Sequence, residues 1–189
     1  MGITAQLVTM VAVVLGSATT YVTNRLTERS KRKQELRSRW DLRKLDSYAE
    51  FIGAIRIYIA AAVTLYEARE GIRTAQKSID DLRTELIALR RDKSLTFERL
   101  MLMAGDSVVE AAHSVQETAE AVAWQAEDVL PGTLTDWRDK NADAFAAINR
   151  FHERARVDLG VTGDFSGAEH SARGLLLPSP QVGESEASP

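Results

Sequence analysis

The sequence predicts an all-α protein: a single N-terminal transmembrane helix, then a basic helical stalk and an antiparallel bundle of about four helices. Three observations support this class. Residues 3–24 carry no Asp, Glu, Lys or Arg, and proline is absent from residues 1–130. Apolar residues after residue 44 recur at alternating steps of three and four, which places them on one face of a helix. Because proline breaks helix interiors and no stretch alternates with period two, we predict no sheet.

The uncharged stretch Ile3–Asn24 is 22 residues long. A helix of this length spans roughly 33 Å, close to the hydrocarbon thickness of a bilayer. We therefore interpret residues 1–24 as a transmembrane anchor. A cleavable signal peptide fits less well, because no Lys or Arg precedes the apolar core and Tyr21 and Val22 follow it in place of a small-residue cleavage site. The other alternative is a buried helix of a soluble protein, since Gln6 and several Ser and Thr residues make the stretch only moderately apolar.

Small residues follow one side of this predicted helix at steps of four and three. Such residues let two transmembrane backbones approach closely, so they indicate a face for self-association. A helix rich in Ala and Thr can also produce such a face without any role in association. The residues of this small-residue face are Ala5, Thr9, Ala12, Gly16, Thr19 and Thr23.

A basic segment, residues 25–44, follows the anchor with nine Lys or Arg residues against three acids. Basic residues close to a span mark its cytoplasmic side, so we predict a single-pass protein of the cell membrane with its N-terminus outside and its bundle in the cytoplasm. Anionic lipids attract such a segment by about 1 kcal/mol per basic residue. Nucleic acid also attracts Lys/Arg-rich runs, but the adjacent span favours lipid. The predicted lipid-contacting residues are Arg25, Arg29, Lys31, Arg32, Lys33, Arg37 and Arg39.

Residues 45–160 are predicted to form the bundle, and two heptad seams of the coiled-coil kind define its first two helices. A second membrane crossing by residues 51–66 is disfavoured, because Glu50 and Arg56 would lie within the span. The second seam is out of phase with the first, and Gly71 lies at the change. Either the chain turns there or one helix continues, and we favour a turn. The first seam is Leu45, Tyr48, Ile52, Ile55, Ile59, Ala62 and Tyr66, and the second is Ile72, Ala75, Ile79, Leu82, Leu86 and Leu89. The residues predicted to extend the second helix are Leu95, Phe97, Leu100, Met101 and Met103.

Turn and capping signals delimit a third and a fourth helix. Gly105 is predicted to close the second helix in the left-handed conformation, and residues 107–110 to open the third as a capping box. Pro131-Gly132 predicts a turn, residues 133–136 a second capping box, and Gly160 the end of the fourth helix. The residues predicted to face inward are Val108, Ala112, Val115, Ala119, Val122, Ala126 and Val129, then Trp137, Phe145, Ile148, Phe151 and Ala155, with Trp124 packing on Trp137 across the turn.

The third predicted helix is acidic on its outer face, and the chain after the fourth helix changes in composition. The acidic residues could dock on basic side chains such as Arg83, Arg90, Arg91 or Arg99. Residues 161–189 hold three of the four prolines and are predicted to be a largely disordered tail. The acidic residues of the third helix are Asp106, Glu110, Glu117, Glu120, Glu127 and Asp128.

Signals for a chemical site are few. The chain has no cysteine, which excludes disulfides, thiol catalysis and cysteine-ligated metals. Glu110 and His113 have the Glu-x-x-His spacing of di-metal helical bundles, but that site needs a second such pair, and Asn149 precedes His152 at this spacing. Phosphate-binding glycine motifs and the nucleophile elbow are absent. We therefore predict no metal, no cofactor and no enzymatic activity.

Five short patterns occur in the order Trp40, Leu45 to Phe51, Glu98-Arg99-Leu100 ahead of Gly105, Ala111-Ala112-His113 and a closing run from Phe151 to Val161. In these patterns the chain resembles a group of small actinobacterial membrane-anchored helical proteins, over most of residues 5–161. The resemblance implies an anchor followed by a helical bundle. It transfers no activity and no functional residues.

The function predicted from these features is a non-enzymatic, membrane-anchored interaction or scaffold protein. Its expected partners are membrane lipids, an unidentified protein and, through the anchor or the heptad seams, a second copy of the chain; nucleic acid is not among them. One alternative is a membrane-active effector of the defence or toxin type, in which oligomerised anchors perturb the bilayer. A further alternative is an enzyme whose site has no recognised motif.

Overall fold

The structure, a computed structural model, describes Gly2, Arg25, residues 40–163 and residues 165–166. Four helices account for most of the described chain, and no strand occurs among these residues, so the predicted all-α class is confirmed for them. The predicted anchor, nearly all of the stalk and most of the tail lie outside the described residues. The helices are α1 (Trp40–Arg69), α2 (Ile79–Met101), α3 (Asp106–Ala126) and α4 (Leu134–Asp158).

Helix α1 buries a wider surface than the predicted seam. Residues of that seam from Tyr48 to Tyr66 are buried, whereas Leu45 is 50% exposed. Phe51, Tyr58 and Leu65 add a second buried line along the same helix. Among the described residues, α1 is also the helix that is long and apolar enough to cross a membrane by length and composition. About 44% of its most apolar 18-residue stretch is buried inside the protein.

The chain turns after α1, as the phase change at Gly71 predicts. Gly71 has φ +69°, in the left-handed region that favours glycine, and it follows the last turn of α1. The start predicted for the second helix is wrong, however, because α2 begins at Ile79 and Ile72 lies exposed in the connection. Ser78 fixes this start, since its side chain accepts a hydrogen bond from the backbone N–H of Asp81.

The boundary between α2 and α3 differs from the prediction. Gly105 has φ −72° and is the N-cap of α3, so it does not close α2 in the left-handed conformation. The predicted capping box at Ser107 is also wrong, because α3 already begins at Asp106. The inward positions of α3 from Val108 to Ala126 are buried as predicted, but Val129, also predicted to face inward, is exposed. Helix α2 extends through Leu95 and Met101 as predicted, whereas Met103 lies beyond its end.

The boundary between α3 and α4 agrees with the sequence except for one aromatic contact. Thr133 and Asp136 form the predicted capping box, and Gly160, with φ +67°, follows the end of α4. Trp137 does not pack on Trp124, which is 43% exposed; it stacks on Tyr66 of α1 with ring centres 3.9 Å apart. The stacked rings of Tyr66 and Trp137 are both buried, so this contact removes both rings from water, whereas Trp124 lies at an exposed turn.

Ring contacts fix the relative directions of the helices. Tyr48 and Tyr66, near opposite ends of α1, meet Phe151 and Trp137 of α4 respectively, so α1 and α4 run in opposite directions. Phe97, late in α2, meets Phe51 early in α1, so α1 and α2 are also opposed. The four helices bury one common core. Its largest fully buried apolar residues are Trp137, Tyr58, Phe51, Phe151, Ile55, Leu65, Leu86, Leu100 and Ile148.

Candidate functional site

The residues that the sequence assigns to the membrane lie almost entirely outside the described residues. Of the small-residue face and the predicted lipid-contacting set, only Arg25 is described, and it is helical and exposed. The self-association of the anchor and its contact with anionic lipid therefore stay predictions.

A buried lysine links α2 to α3. Only 3% of the Lys93 side chain is exposed, and its Nζ lies 2.8 Å from Glu120 Oε1. The same ammonium donates to Gln116 Oε1 at 2.6 Å. It also lies 5.0 Å from the ring centre of Tyr58, within the range of a cation–π contact. Lys93 is thus fully compensated. We call the group the Lys93 cluster, which comprises Tyr58, Arg90, Lys93, Gln116, Glu120 and Glu127.

The rest of the Lys93 cluster brings in α1 and a second cation. Tyr58 donates from its hydroxyl to Glu120 Oε2 at 2.9 Å. Arg90 donates from Nε to the Tyr58 hydroxyl at 3.0 Å and pairs with Glu127. The predicted docking of basic residues on the acidic face of α3 therefore occurs through Arg90. Arg99, another candidate for this contact, pairs instead with Glu50 of α1.

The electrostatics of the Lys93 cluster keep its charges fixed. Burial disfavours the Glu120 carboxylate, but the hydrogen bond and charge of Lys93 outweigh burial and lower the pKa of Glu120. Burial raises the pKa of Tyr58, and the charge of Glu120 raises it further. Burial opposes the Arg90 guanidinium, yet hydrogen bonds to Glu127 and Tyr58 raise its pKa. All three groups titrate farther from neutral pH than usual, so the cluster holds charge and is poorly suited to acid–base catalysis at pH 7.

A second ionic cluster joins three helix ends at Asp158. Its carboxylate lies 2.9 Å from Lys44 Nζ and accepts a hydrogen bond from the Tyr48 hydroxyl at 2.7 Å. The backbone N–H of Gly105 donates to it as well. Burial disfavours the charged form of Asp158, but its hydrogen bonds to Lys44 and Tyr48 outweigh burial and lower its pKa. A Cβ on Gly105 would lie 2.7 Å from Asp158 Oδ1, so a close approach explains this glycine.

A groove of about 430 Å³ opens between α1, the connection to α2, and α2 itself. Its apolar walls include Ile57, Ala60 and Leu82, and Glu67 also lines it. The Glu67 side chain is 4% exposed, and its Oε1 has no hydrogen-bond partner. Its Oε2 lies 3.4 Å from Arg73, whose own side chain is 72% exposed. We call this cavity the Glu67 groove.

An apolar cavity of similar volume, about 430 Å³, lies between α1 and α4. Leu45, Ile52 and Phe151 line it together with Phe165 from the chain beyond α4. Burial, with the charge of Arg56 adding to it, lowers the pKa of the neighbouring His152, which keeps this imidazole neutral at pH 7. The cavity is therefore mostly apolar, and the charged residue that lines it is Arg156, which lies 5.5 Å from the ring centre of Phe165.

No group of three or more His, Asp and Glu side chains in residues 40–163 could hold a metal ion. His113, from the Glu-x-x-His pattern, packs its ring edge against Phe97 with ring centres 4.8 Å apart. Glu110 is exposed on α3. In the described residues this pattern is part of a helix surface and its packing.

No known family model, curated protein or solved structure matches this chain. The resemblance to actinobacterial membrane-anchored proteins accordingly stays a prediction.

Sequence reasoning missed the buried Lys93 and Glu67 and the half-buried Asp158, and one of these three carried a signal. Lys93 stands seven residues after Leu86 and seven before Leu100, both of which are buried on α2, so it occupies a core position of the heptad. A charge at such a position requires a partner in the core. Asp158 and Glu67 carried no comparable signal, because each occupies the end of a helix where polar residues are ordinary.

Proposed function

We propose that the chain is a non-enzymatic, membrane-anchored helical interaction or scaffold protein. Residues 1–24 would cross the cell membrane once, residues 25–44 would contact anionic lipid, and residues 45–160 would form an antiparallel four-helix module in the cytoplasm. The observation that carries this proposal is the pairing of buried and half-buried charges between helices. Lys93 with Glu120, and Lys44 with Asp158, connect helices to one another, and their partners hold these charges fixed.

The sequence supports the membrane part of the proposal. An uncharged stretch of 22 residues followed by an excess of six positive charges over residues 25–44 has the length and flanking charge of a single span. Helix α1 also has the length and composition of a span. We assign α1 to the module, because Tyr58 bonds to Glu120 and Phe51 and Ile55 are fully buried against other helices.

Single cysteines test the predicted topology cleanly, since the chain has none of its own. We would introduce Gly2→Cys and Ser166→Cys separately into the full chain and treat intact cells with a membrane-impermeant maleimide. Gly2→Cys should react in intact cells, and Ser166→Cys only after permeabilisation. The unmodified chain is the control for background labelling. Reaction at residue 166 in intact cells would show that the module lies outside the cell, opposite to the predicted orientation. Recovery of the full chain in the aqueous fraction without detergent would remove the anchor from the proposal.

The small-residue face favours one second candidate, a membrane-active effector that acts through oligomerised anchors. Close helix contact through Gly16 would be needed, so Gly16→Ile should abolish dye leakage from cells that express the full chain. Val14→Ile adds bulk off this face and should leave leakage unchanged. Intact membranes at high expression of the unmodified chain would exclude the effector and leave the scaffold proposal standing.

A further inference from the structure

Glu67 has an unmet hydrogen-bonding demand. Three buried side-chain oxygens in the described residues lack a hydrogen-bond partner: Ser47 Oγ, Asn141 Oδ1 and Glu67 Oε1. Glu67 is the ionisable one, and it lines the Glu67 groove. A buried carboxylate is costly unless it is paired and hydrogen-bonded, so this oxygen marks a place where a donor is missing.

Arg73 meets this demand only in part. Its guanidinium reaches Glu67 Oε2 at 3.4 Å from a largely exposed position, and ion pairs of that kind contribute about 0–1 kcal/mol. The connection that carries Arg73 lines the groove and is bonded to the last turn of α1. The Glu67 carbonyl accepts from the N–H of Ile72 at 2.9 Å and from that of Arg73 at 3.2 Å. These bonds use the backbone carbonyl, and no donor in the described residues bonds to the side-chain Oε1.

The other charges at the groove compensate each other. Lys77 Nζ lies 2.7 Å from Glu85 Oε2, which leaves Glu67 as the acidic group with unused acceptor capacity. The walls beside it are apolar, with Ile57, Ala60 and Leu82. A volume of about 430 Å³ is within the range of small-molecule sites. The complement of such a cavity is a cation attached to an apolar body.

We infer that the Glu67 groove binds a primary ammonium group on an apolar body, supplied by a free amine or by a lysine side chain of a partner. The ammonium would displace the largely exposed Arg73 guanidinium from the Glu67 carboxylate and donate to that carboxylate, and its apolar body would lie on the wall that includes Ala60. A compact ammonium with three donors suits this site better than a planar guanidinium, since the guanidinium of Arg73 contacts the carboxylate at Oε2 alone and at 3.4 Å. The groove lies within residues 57–89, so binding does not depend on the proposed anchor.

Calorimetric titration of the full chain in lipid nanodiscs, with benzylammonium chloride as the probe and empty nanodiscs as the blank, tests this inference. Saturable one-to-one binding is expected, and Glu67→Gln should weaken it at least tenfold. Glu50→Gln is the matched control, because it removes an exposed carboxylate from the same helix, and its affinity should equal that of the unmodified chain. Benzyl alcohol, which lacks the charge, should not saturate.

A second variant keeps the test decisive if Glu67→Gln fails to fold. Ala60 is exposed on α1, so Ala60→Phe fills the groove from its wall and leaves Glu67 in place. It should abolish binding, whereas Arg73→Ala removes a competing cation and should tighten binding severalfold.

The source of the ammonium is decided by a second probe, N-acetyl-lysine methylamide. Comparable binding of this compound assigns a lysine of a partner, and binding of benzylammonium alone assigns a free amine. The inference is overturned if the unmodified chain shows no saturation, or if folded Glu67→Gln binds benzylammonium as tightly as the unmodified chain. Either result would mean that water satisfies Glu67 Oε1. Neither would bear on the membrane topology, which the cysteine labelling tests separately.

Discussion

Lys93 of α2 and Glu120 of α3 form an ion pair with 2.8 Å between Nζ and Oε1, and 3% of the lysine side chain is exposed. Tyr58 of α1 donates to the other oxygen of the same carboxylate. One carboxylate therefore sets the relative positions of three helices. A buried pair of this kind specifies which surfaces meet, and removing one partner leaves the other charge buried and unmatched.

Glu120→Ala should destabilise the module by about 3–5 kcal/mol, because it leaves the Lys93 ammonium buried without its counter-charge. Urea unfolding of the full chain in detergent, followed by circular dichroism, measures the loss. Glu50→Ala breaks an exposed pair with Arg99 and should cost less than about 1 kcal/mol. Equal losses of unfolding free energy in Glu120→Ala and Glu50→Ala would contradict the claim that the buried pair contributes more than the exposed one. The double variant Lys93→Met/Glu120→Leu should regain most of the stability.

Asp158 should make the module sensitive to acid. Its folded-state pKa lies below the ordinary value of 3.8, so its ionised form stabilises the fold above about pH 4, and this contribution is lost as the pH falls through the folded-state pKa. The free energy of unfolding should thus decline below about pH 4, and less steeply in Asp158→Asn. Asp143→Asn removes an exposed carboxylate from the same helix and is the matched control. If both variants reduced the pH dependence of the free energy of unfolding equally, the acid sensitivity would not come from Asp158.

The tyrosines should resist ionisation in the folded chain. Burial raises the pKa of Tyr48, Tyr58 and Tyr66, and the neighbouring carboxylates of Asp158, Glu120 and Glu70 respectively raise each further. Absorbance at 295 nm should therefore show at most one of the four tyrosines ionised at about pH 10.5 while the protein stays folded. All four should ionise in urea.

The matched variant for this titration is Tyr58→Phe. It should leave the folded-state absorbance at 295 nm unchanged and lower only the total measured in urea. Ionisation of two or more tyrosines with native circular dichroism would show that these hydroxyls are accessible to solvent.

Two glycine substitutions should have opposite effects on the free energy of unfolding. A Cβ on Gly105 would lie 2.7 Å from Asp158 Oδ1, so Gly105→Ala should displace this carboxylate and cost about 1–3 kcal/mol. A Cβ on Gly53, inside α1, would meet nothing within 4 Å, so Gly53→Ala should stabilise the helix by about 0.5–1 kcal/mol. Urea midpoints of the two variants measure both effects. Unchanged stability of Gly105→Ala would mean that the Asp158 carboxylate can shift without losing its contacts with Lys44 and Tyr48.

Periodicity predicted the apolar core of the described residues well, because burial of a helix face requires a repeat that the chain displays directly. Ile52, Ile55 and Val115, all predicted to face inward, are buried. Local capping was predictable where the cap is contiguous, as at Thr133, and failed at Gly105, whose N–H bonds to a carboxylate 53 residues later in the sequence. Contacts at that separation leave no local pattern.

The candidate site was less accessible to prediction than the core. Lys93 interrupts a seam and could have been found, but the unpartnered oxygen of Glu67 depends on how a loop of nine residues between α1 and α2 covers the end of a helix. The start of α2 was missed for a related reason. Ile72 and Ala75 continue the spacing of the seam although they lie outside the helix, and the Ser78 cap overrides that spacing.

The Asp158 contacts have a mechanical consequence. A load pulling on the chain ahead of Lys44 would enter the module at that residue and pass through one carboxylate to the start of α3 and the end of α4. Three helices would then share the strain, and α1 would not peel away alone. Asp158 is thus the polar link that ties the start of α1 to the start of α3 and the end of α4, in addition to the apolar core.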